Sequence, residues 1–436
     1  MAASLKPGED FKSSLKVIKA DLLIPGRGEP IQHGAVVYED KRILYVGKQE
    51  TLPQEHGDAE VFRVPVVMPG MWDCHVHFLG SDRMALEAFY RVPQALAGAK
   101  GARDIAAVLN AGFTSVREVA GYGIHLAQAI EANCLEGPNI YSAGSIISPT
   151  GGHADAHDVP LEAFQDAVCH GLPMQLCDGV GDCLKAVRLQ LRRGAKVIKL
   201  CTSGGVASER DSPHQQQFSD AELEALVGEA RRANRAVAAH CHGKAGIMAA
   251  LRAGVTTIEH GSYLDSECIE QMCKQGTILV ATRTIAEVGL ELNNAWTPES
   301  FKKLREVGTA GRDAYRRAIQ AGVKLALGTD IGISVPGSLL NHGKNGMELK
   351  LAVEAGLSPL QAIEAATASG PATLGPQAPR SGLLQEGYDA DFIALSRNPL
   401  EDIEVLTETT NITHVWRGGR LVKAPGRPVG FPNMTD

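Results

Sequence analysis

From residue 64 onward the chain alternates between short β-rich runs and amphipathic helical runs, and this alternation limits its folds more than any other feature. The β-rich runs fall at 64–68, 114–119, 139–143, 196–201, 236–241, 256–260, 277–282 and 324–328. Between them lie helical stretches such as "SDAELEALVGEARRAN", which opens on Ser219 with Glu222 three residues later, the pattern of a capping box. Ala-Gly steps at Ala111-Gly112, Ala253-Gly254 and Ala321-Gly322 read as helix stops just before the next strand. Eight strand–helix units over about 250 residues or more predict an α/β fold of the (β/α)8 TIM-barrel type. A doubly wound open sheet is the alternative, but it leaves unexplained why so many of these strands end in polar residues.

The two ends of the chain follow another rhythm. "LKVIKADLLIP", "GAVVYED" and "RILYVGK" near the start, and "GYDADFIALS" and "ITHVWRGGRLVK" near the end, alternate and turn like antiparallel strands. Each piece is too short for a good core alone. Residues 1–65 and 381–436 are therefore expected to join in one small β-sandwich beside a barrel spanning 66–380. A chain of 436 residues has room for both.

Composition removes several classes of function. The net charge of −7 is spread along the chain without a basic block, which argues against nucleic acid and anionic membranes as partners. No apolar run approaches the roughly 20 residues of a membrane span. "MAASLKPGEDFKSSLKV" lacks the apolar core of a signal peptide, so a cytoplasmic protein is expected. The nine cysteines are scattered and form no CxxC pair, which fits reduced thiols better than a disulfide framework or a zinc ribbon.

A barrel carries its chemistry at the carboxyl ends of its strands. The first strand runs into "GMWDCHVHF", where His75 and His77 stand two apart and so share a face. Two imidazoles on one face can converge on one metal ion. The fourth strand ends "VIKLCTSGG" with Lys199, the fifth "VAAHCHG" with His240, the sixth "TIEHG" with His260, and the eighth "LALGTD" with Asp330. A lone histidine at a strand end is usually a satisfied polar group. Several imidazoles and a carboxylate on several strand ends form the donor set of a metal site.

Lys199 fits such a site only with a change of charge, since an ammonium has no lone pair to donate. Either it snorkels from the rim to water, or burial beside cations depresses its pKa. The neutral amine could then take up CO2 as a carbamate whose oxygens bridge two metals.

"LLIPGRGEP", "MPGMWDCHVHF", "GPNIYSAG", "RRGAKVIK", "HCHGKAGIMAA", "ALGTD" and "GYDADFIALSRNPLEDI" give the chain, over nearly its whole length, a resemblance to the binuclear-metal amidohydrolases. The resemblance is to the prolidase-like and imidazolonepropionase-related branch, which includes the fungal ochratoxinases. It implies a (β/α)8 barrel with a split β-sandwich and two divalent metal ions, with zinc expected. It places His75 and His77 on one metal and His240 and His260 on the other. Lys199 becomes the carboxylated bridge, and Asp330 meets the first metal and the bridging water. All six positions are filled. The segments "CTSGGVASERDSPH" and "IGISVPGSLLNHGKNGMEL" look less like the ochratoxinase pattern and leave substrate identity open.

On this reading Asp330 is the catalytic base and then acid. His153 in "TGGHADAH" and His242 in "HCHG" are candidate contacts for a substrate carboxylate or carbonyl, with Tyr122 in "VAGYG" a third. His157, His214 and His342 have no assigned role. The substrate expected is a small-molecule or dipeptide-like amide with a free carboxylate, such as an N-acyl-phenylalanine of the ochratoxin A type, and the enzyme is expected to be a homo-oligomer. Hydrolysis of a cyclic amide or a lactone on the same metals is the alternative, and a non-catalytic scaffold a third.

Overall fold

The computed structural model describes residues 15–53, 59–83, 85–292, 296–333 and 337–430. The two chain ends meet in one seven-stranded sheet. Its order is Arg420–Lys423, Ile412–Arg417, Phe392–Leu395, Glu60–Pro69, Leu15–Leu23, Ile31–Glu39 and Arg42–Lys48. The join is antiparallel, with Phe392 opposite Pro69 and Leu395 opposite Val66. Tyr38 and Trp416 both stand about 5.1 Å from the Phe392 ring, so aromatics from both ends close this core in edge-on and tilted contacts.

Residues 64–68 belong to this sheet, which corrects two expectations. The run expected as the first barrel strand belongs to neither parallel sheet, and the expected boundary at 65/66 falls inside Glu60–Pro69. An apolar stretch such as "VPVVMP" suits either sheet, and its length alone does not say which. The break comes at Gly70, where a side-chain carbon would collide with Thr114. The strand that carries the histidine pair, Met71–Ser81, starts directly after it.

Two wholly parallel sheets make up the rest of the α/β fold. One runs Ile278–Val280, Thr257–His260, Ala236–Cys241, Val197–Cys201, Ile146–Ser148, Met174–Leu176, and the other Ile331–Ile333, Met71–Ser81, Phe113–Glu118, Asn139–Ser142. Backbone bonds link the two on both sides. Lys196 N donates to Ser142 O at 2.8 Å, and Cys74 N donates to Leu327 O at 2.9 Å while Ala326 N donates to Leu279 O at 3.1 Å. The expected strand at 324–328 is thus reduced to one parallel bridge, Leu279 with Leu325, although its backbone still bonds to both neighbours.

The helical signals hold. Ser219 and Glu222 form the reciprocal capping box of Asp220–Arg232. Lys244–Ala253 stops at Gly254, whose φ of 83° is left-handed and suits a residue without a side chain. Among the described residues no helix is long and apolar enough to cross a membrane.

Candidate metal centre

The parallel strands aim their carboxyl ends at one cavity, and His75, His77, Lys199, His240, His242, His260 and Asp330 all line it. His75 is 1% exposed, and its Nδ1 lies 2.7 Å from Glu259 Oε2. Glu259 in turn accepts two bonds from Arg117 Nη2, at 2.7 and 2.8 Å. Burial works against ionisation of Glu259, but Arg117 and His75 outweigh it and hold the carboxyl well below the usual range. A carboxylate only accepts, so His75 Nδ1 carries the hydrogen and its Nε2 faces the cavity with a lone pair.

His77 is oriented by a different partner. Its Nδ1 lies 2.9 Å from the Ala120 carbonyl, which likewise only accepts. Its Nε2 stands 3.0 Å from Asp330 Oδ1, and His75 Nε2 stands 3.5 Å from the same oxygen. Fixing one ring nitrogen on a carboxylate or carbonyl and presenting the other is how proteins orient metal-binding histidines.

His260 rests its Nδ1 on Thr282 Oγ1 at 2.7 Å, and His242 rests its Nδ1 on Ser262 Oγ at 2.9 Å. Candidate donor atoms of His240, His242 and His260 lie within 4.8 Å of one another, as do those of His75, His260 and Asp330. The histidine clusters therefore fit a metal site, and the donor chemistry suits a divalent ion. His260 and Asp330 hold left-handed φ angles of 68° and 59°. Such backbone costs about 1–3 kcal/mol per residue and persists where the surroundings enforce it. Here Asp330 N donates to His75 O at 2.7 Å, and Gly261 N to Cys241 O at 3.0 Å.

Burial is the main influence on every shifted group here. It lowers His75 to about 4 and His242 to about 3, and it holds His240 and His260 well below the usual histidine value. Lys199 adds to each of these shifts. These imidazoles are therefore neutral at pH 7 and free to act as donors of lone pairs. Asp330 goes the other way, because His75, His77 and Lys199 overcome its burial and keep it ionised. Lys199 is 1% exposed, with Nζ 3.4 Å from His75 Nε2. Its burial lowers the pKa of the amine, against the pull of Glu259 and Asp330.

The expected substrate contacts divide. His153 and His242 line the cavity, and His153 stacks on His240 with ring centroids 4.0 Å apart. His242 also belongs, with His240 and His260, to a cluster whose geometry could hold a metal ion. Tyr122 lies outside the cavity lining. The chain turns there into the helix Gly123–Glu131, and Tyr122 N bonds to Phe78 O at 3.2 Å. His157 and His214 are also outside the lining, and residues 334–336 of the segment after Asp330 fall outside the described residues.

Three buried residues escaped sequence reasoning. Glu259 and Arg117 gave no signal, since their partner His75 is remote in sequence. Asp73 gave one, because it shares the strand face of His75 and His77. It accepts from His75 N at 3.1 Å, Thr329 Oγ1 at 2.7 Å and Asn345 Nδ2 at 2.7 Å, tying the histidine strand to the segment that bears Asp330.

The cavity walls are mainly apolar, with Leu79, Phe89 and Met174 among the lining on one side of the chain and Ile285, Trp296 and Leu304 among it on the other. Trp296 is fixed by its indole N–H, which donates to Gly289 O at 3.0 Å. Arg283 also lines the cavity, but it is committed to Glu287 at 2.5 Å and to Gly308 O at 2.9 Å.

A family model described as "Amidohydrolase family" matches residues 66–422. The ochratoxinase of Aspergillus niger is 45% identical over 432 residues, covering 95% of this chain and 88% of that protein. Its crystal structure superposes with a TM-score of 0.89, covering 96% of this chain and 98% of that one, at 45% identity. A prolidase solved with N-methylphosphonate-L-proline gives 0.85 at 33% identity, covering 94% and 100%. A Xaa-Pro dipeptidase with methionine bound in its active site gives 0.84 at 32%, also covering 94% and 100%.

Proposed function

Since the chain belongs to the amidohydrolase family and is a hydrolase acting on amide bonds, we propose that it cleaves N-acyl amino acids and related dipeptide-like amides that carry a free carboxylate. The two parallel sheets are read as arcs of one (β/α)8 barrel, with the seven-stranded sheet as the β-sandwich beside it. The observation that carries the proposal is the convergence of neutral histidines and an ionised Asp330 at the floor of an apolar cavity.

His75, His77 and Asp330 would hold one divalent ion, and His240 and His260 the other, with Lys199 as a carbamate between them. The pair, for which zinc suits the imidazole-rich donor set, would supply an acidified water and polarise the scissile carbonyl. Lys199 is prepared for its part by burial, which favours the neutral amine that can add to CO2. Asp330 is held as a carboxylate, so it can take the proton of the attacking water and return it to the leaving nitrogen.

The walls favour an apolar or aromatic side chain, with the locked indole of Trp296 as a flat surface against it. This agrees with the relative named ochratoxinase and supports amides of phenylalanine, the ochratoxin A type, as substrates. With Arg283 already tied to Glu287, the substrate carboxylate falls to the imidazoles. Positioning of this kind accounts for several kcal/mol of a barrier.

The test is kcat/KM for an N-acyl-phenylalanine against its C-terminal amide, with metal content measured on the same preparation. The acid is expected to be far the better substrate. Equal values would remove carboxylate recognition and put cyclic-amide or lactone hydrolysis ahead.

A further inference from the structure

His153 lies against a buried network that the reaction described above does not use. Its Nδ1 is 2.8 Å from Ser208 Oγ, and Ser208 Oγ donates to Asp211 Oδ1 at 2.5 Å. The other oxygen, Asp211 Oδ2, accepts from Gln217 Nε2 at 3.0 Å and Gly205 N at 3.3 Å. Gln217 closes the ring, because its Oε1 accepts from His153 N at 3.1 Å. Lys303, 6% exposed, reaches in from the helix Pro298–Gln320. Its Nζ donates to Ser208 O at 2.7 Å and Asp211 O at 2.6 Å, and lies 3.4 Å from Asp211 Oδ1.

The hydrogens in this network can be placed by counting. Asp211 accepts at both oxygens, from Ser208, Gln217 and Gly205, with the Lys303 ammonium 3.4 Å from Oδ1, and it stays below the usual carboxylate range. An ionised carboxylate only accepts, so the one hydrogen of Ser208 is used on Asp211. Ser208 must then accept from His153, and His153 Nδ1 must carry the hydrogen. On the neutral ring the other nitrogen, Nε2, then keeps a lone pair, and His153 lines the cavity.

We propose that Ser208, Asp211 and Lys303 are positioning residues that hold His153 as its Nδ1–H tautomer, so that His153 accepts a hydrogen bond from the N–H of the substrate amide. This rests on the amide-hydrolase reading above and divides the labour within it. His242 is left to the substrate carboxylate, since its partner Ser262 has a hydroxyl that can either donate or accept. The substrate class that follows is a secondary amide, disfavouring its N-methylated counterpart.

Asp211→Asn separates this role from a merely structural one. The new amide would place its NH2 on Ser208, turn the hydroxyl hydrogen toward His153 Nδ1 and drive His153 to the opposite tautomer. A related exchange behind a catalytic histidine costs about 10⁴-fold in kcat elsewhere. The metal-loaded protein, labelled with 15N-histidine, is examined by NMR, with the His153 signal identified by its loss in His153→Gln. The wild type should show the Nδ1–H form, Asp211→Asn the Nε2–H form, and Ser208→Thr, which keeps the hydroxyl, the wild-type form. The wild type should also prefer N-acyl-phenylalanine over N-acyl-N-methyl-phenylalanine. Ser208→Ala should reduce that preference by about tenfold, the size of one hydrogen bond, and mainly through KM. A wild-type Nε2–H signal, or an Asp211→Asn spectrum identical to wild type, overturns the proposal whatever the substrate. Correct spectra without hydrolysis of either amide would instead overturn the substrate reading above, and with it the role given to the accepting Nε2.

Discussion

Arg117 and Glu259 form an ion pair at 2.7 Å in which both side chains are 0% exposed, and Glu259 Oε2 also accepts from His75. Two consequences differ in kind. Glu259→Gln can still accept from His75 Nδ1 but has lost its charge, so affinity for the metal should fall about 10–100-fold while the fold survives. Arg117→Met strands a buried carboxylate and should cost about 3–5 kcal/mol of stability. Metal titration of the first variant and chemical denaturation of the second check the two statements separately.

Purified protein should carry about two divalent ions per chain, with zinc favoured by imidazole donors. Chelation should abolish hydrolysis, and re-addition should restore it. Asp330→Asn should keep most of the metal and lose turnover, because its amide cannot relay a proton. Elemental analysis beside an activity assay decides the point, and full activity in protein stripped of metal would refute it.

Lys199→Ala should lose most of the activity and part of the metal, since it removes the anionic bridge proposed between the two ions, and Asp330 is already committed beside His75 and His77. Short carboxylic acids in the buffer should partly restore both. Absence of the mass of CO2 from Lys199 in a metal-loaded, active enzyme would end the carbamate reading.

Asp391, away from the metal centre, offers a pH test. Burial pushes its carboxyl from 3.8 up to about 6, against bonds from Gly418 N at 2.6 Å and Asn139 Nδ2 at 2.8 Å. A folded pKa above the unfolded one means that the native state binds the proton more tightly. Its stabilising contribution is therefore full below pH 3.8 and lost as the pH rises through about 6. The swing is of order 3 kcal/mol. Asp391→Asn does not titrate, so the stability of the wild type relative to this variant should fall from pH 4 to pH 7. A flat difference in urea denaturation would contradict it.

The sequence made some of this legible and hid the rest for physical reasons. His75 and His77 could be read because two residues on one strand share a face without any tertiary information. Strand ends at Lys199, His240 and His260 could be read because apolar runs stop there at polar residues. Residues 64–68 could not be placed, since burial against either sheet selects the same side chains. Glu259 and Arg117 were hidden because their pairing joins separate strands, and the position of Tyr122 depended on how the chain leaves its strand. Asp73 was legible by the same rule as His75, since it lies two residues before it on the same strand.

The seam between Glu60–Pro69 and Phe392–Leu395 also bears on how the protein is made. As the chain leaves the ribosome, Glu60–Pro69 can pair at once with Leu15–Leu23, but its other edge stays bare until Phe392–Leu395 emerges. Translation of both parallel sheets fills that interval. An open edge of apolar residues is an invitation to pair with another chain. The last-made strands thus act as a latch, and a chain ending before residue 392 would have its histidine-bearing strands complete and this edge uncovered.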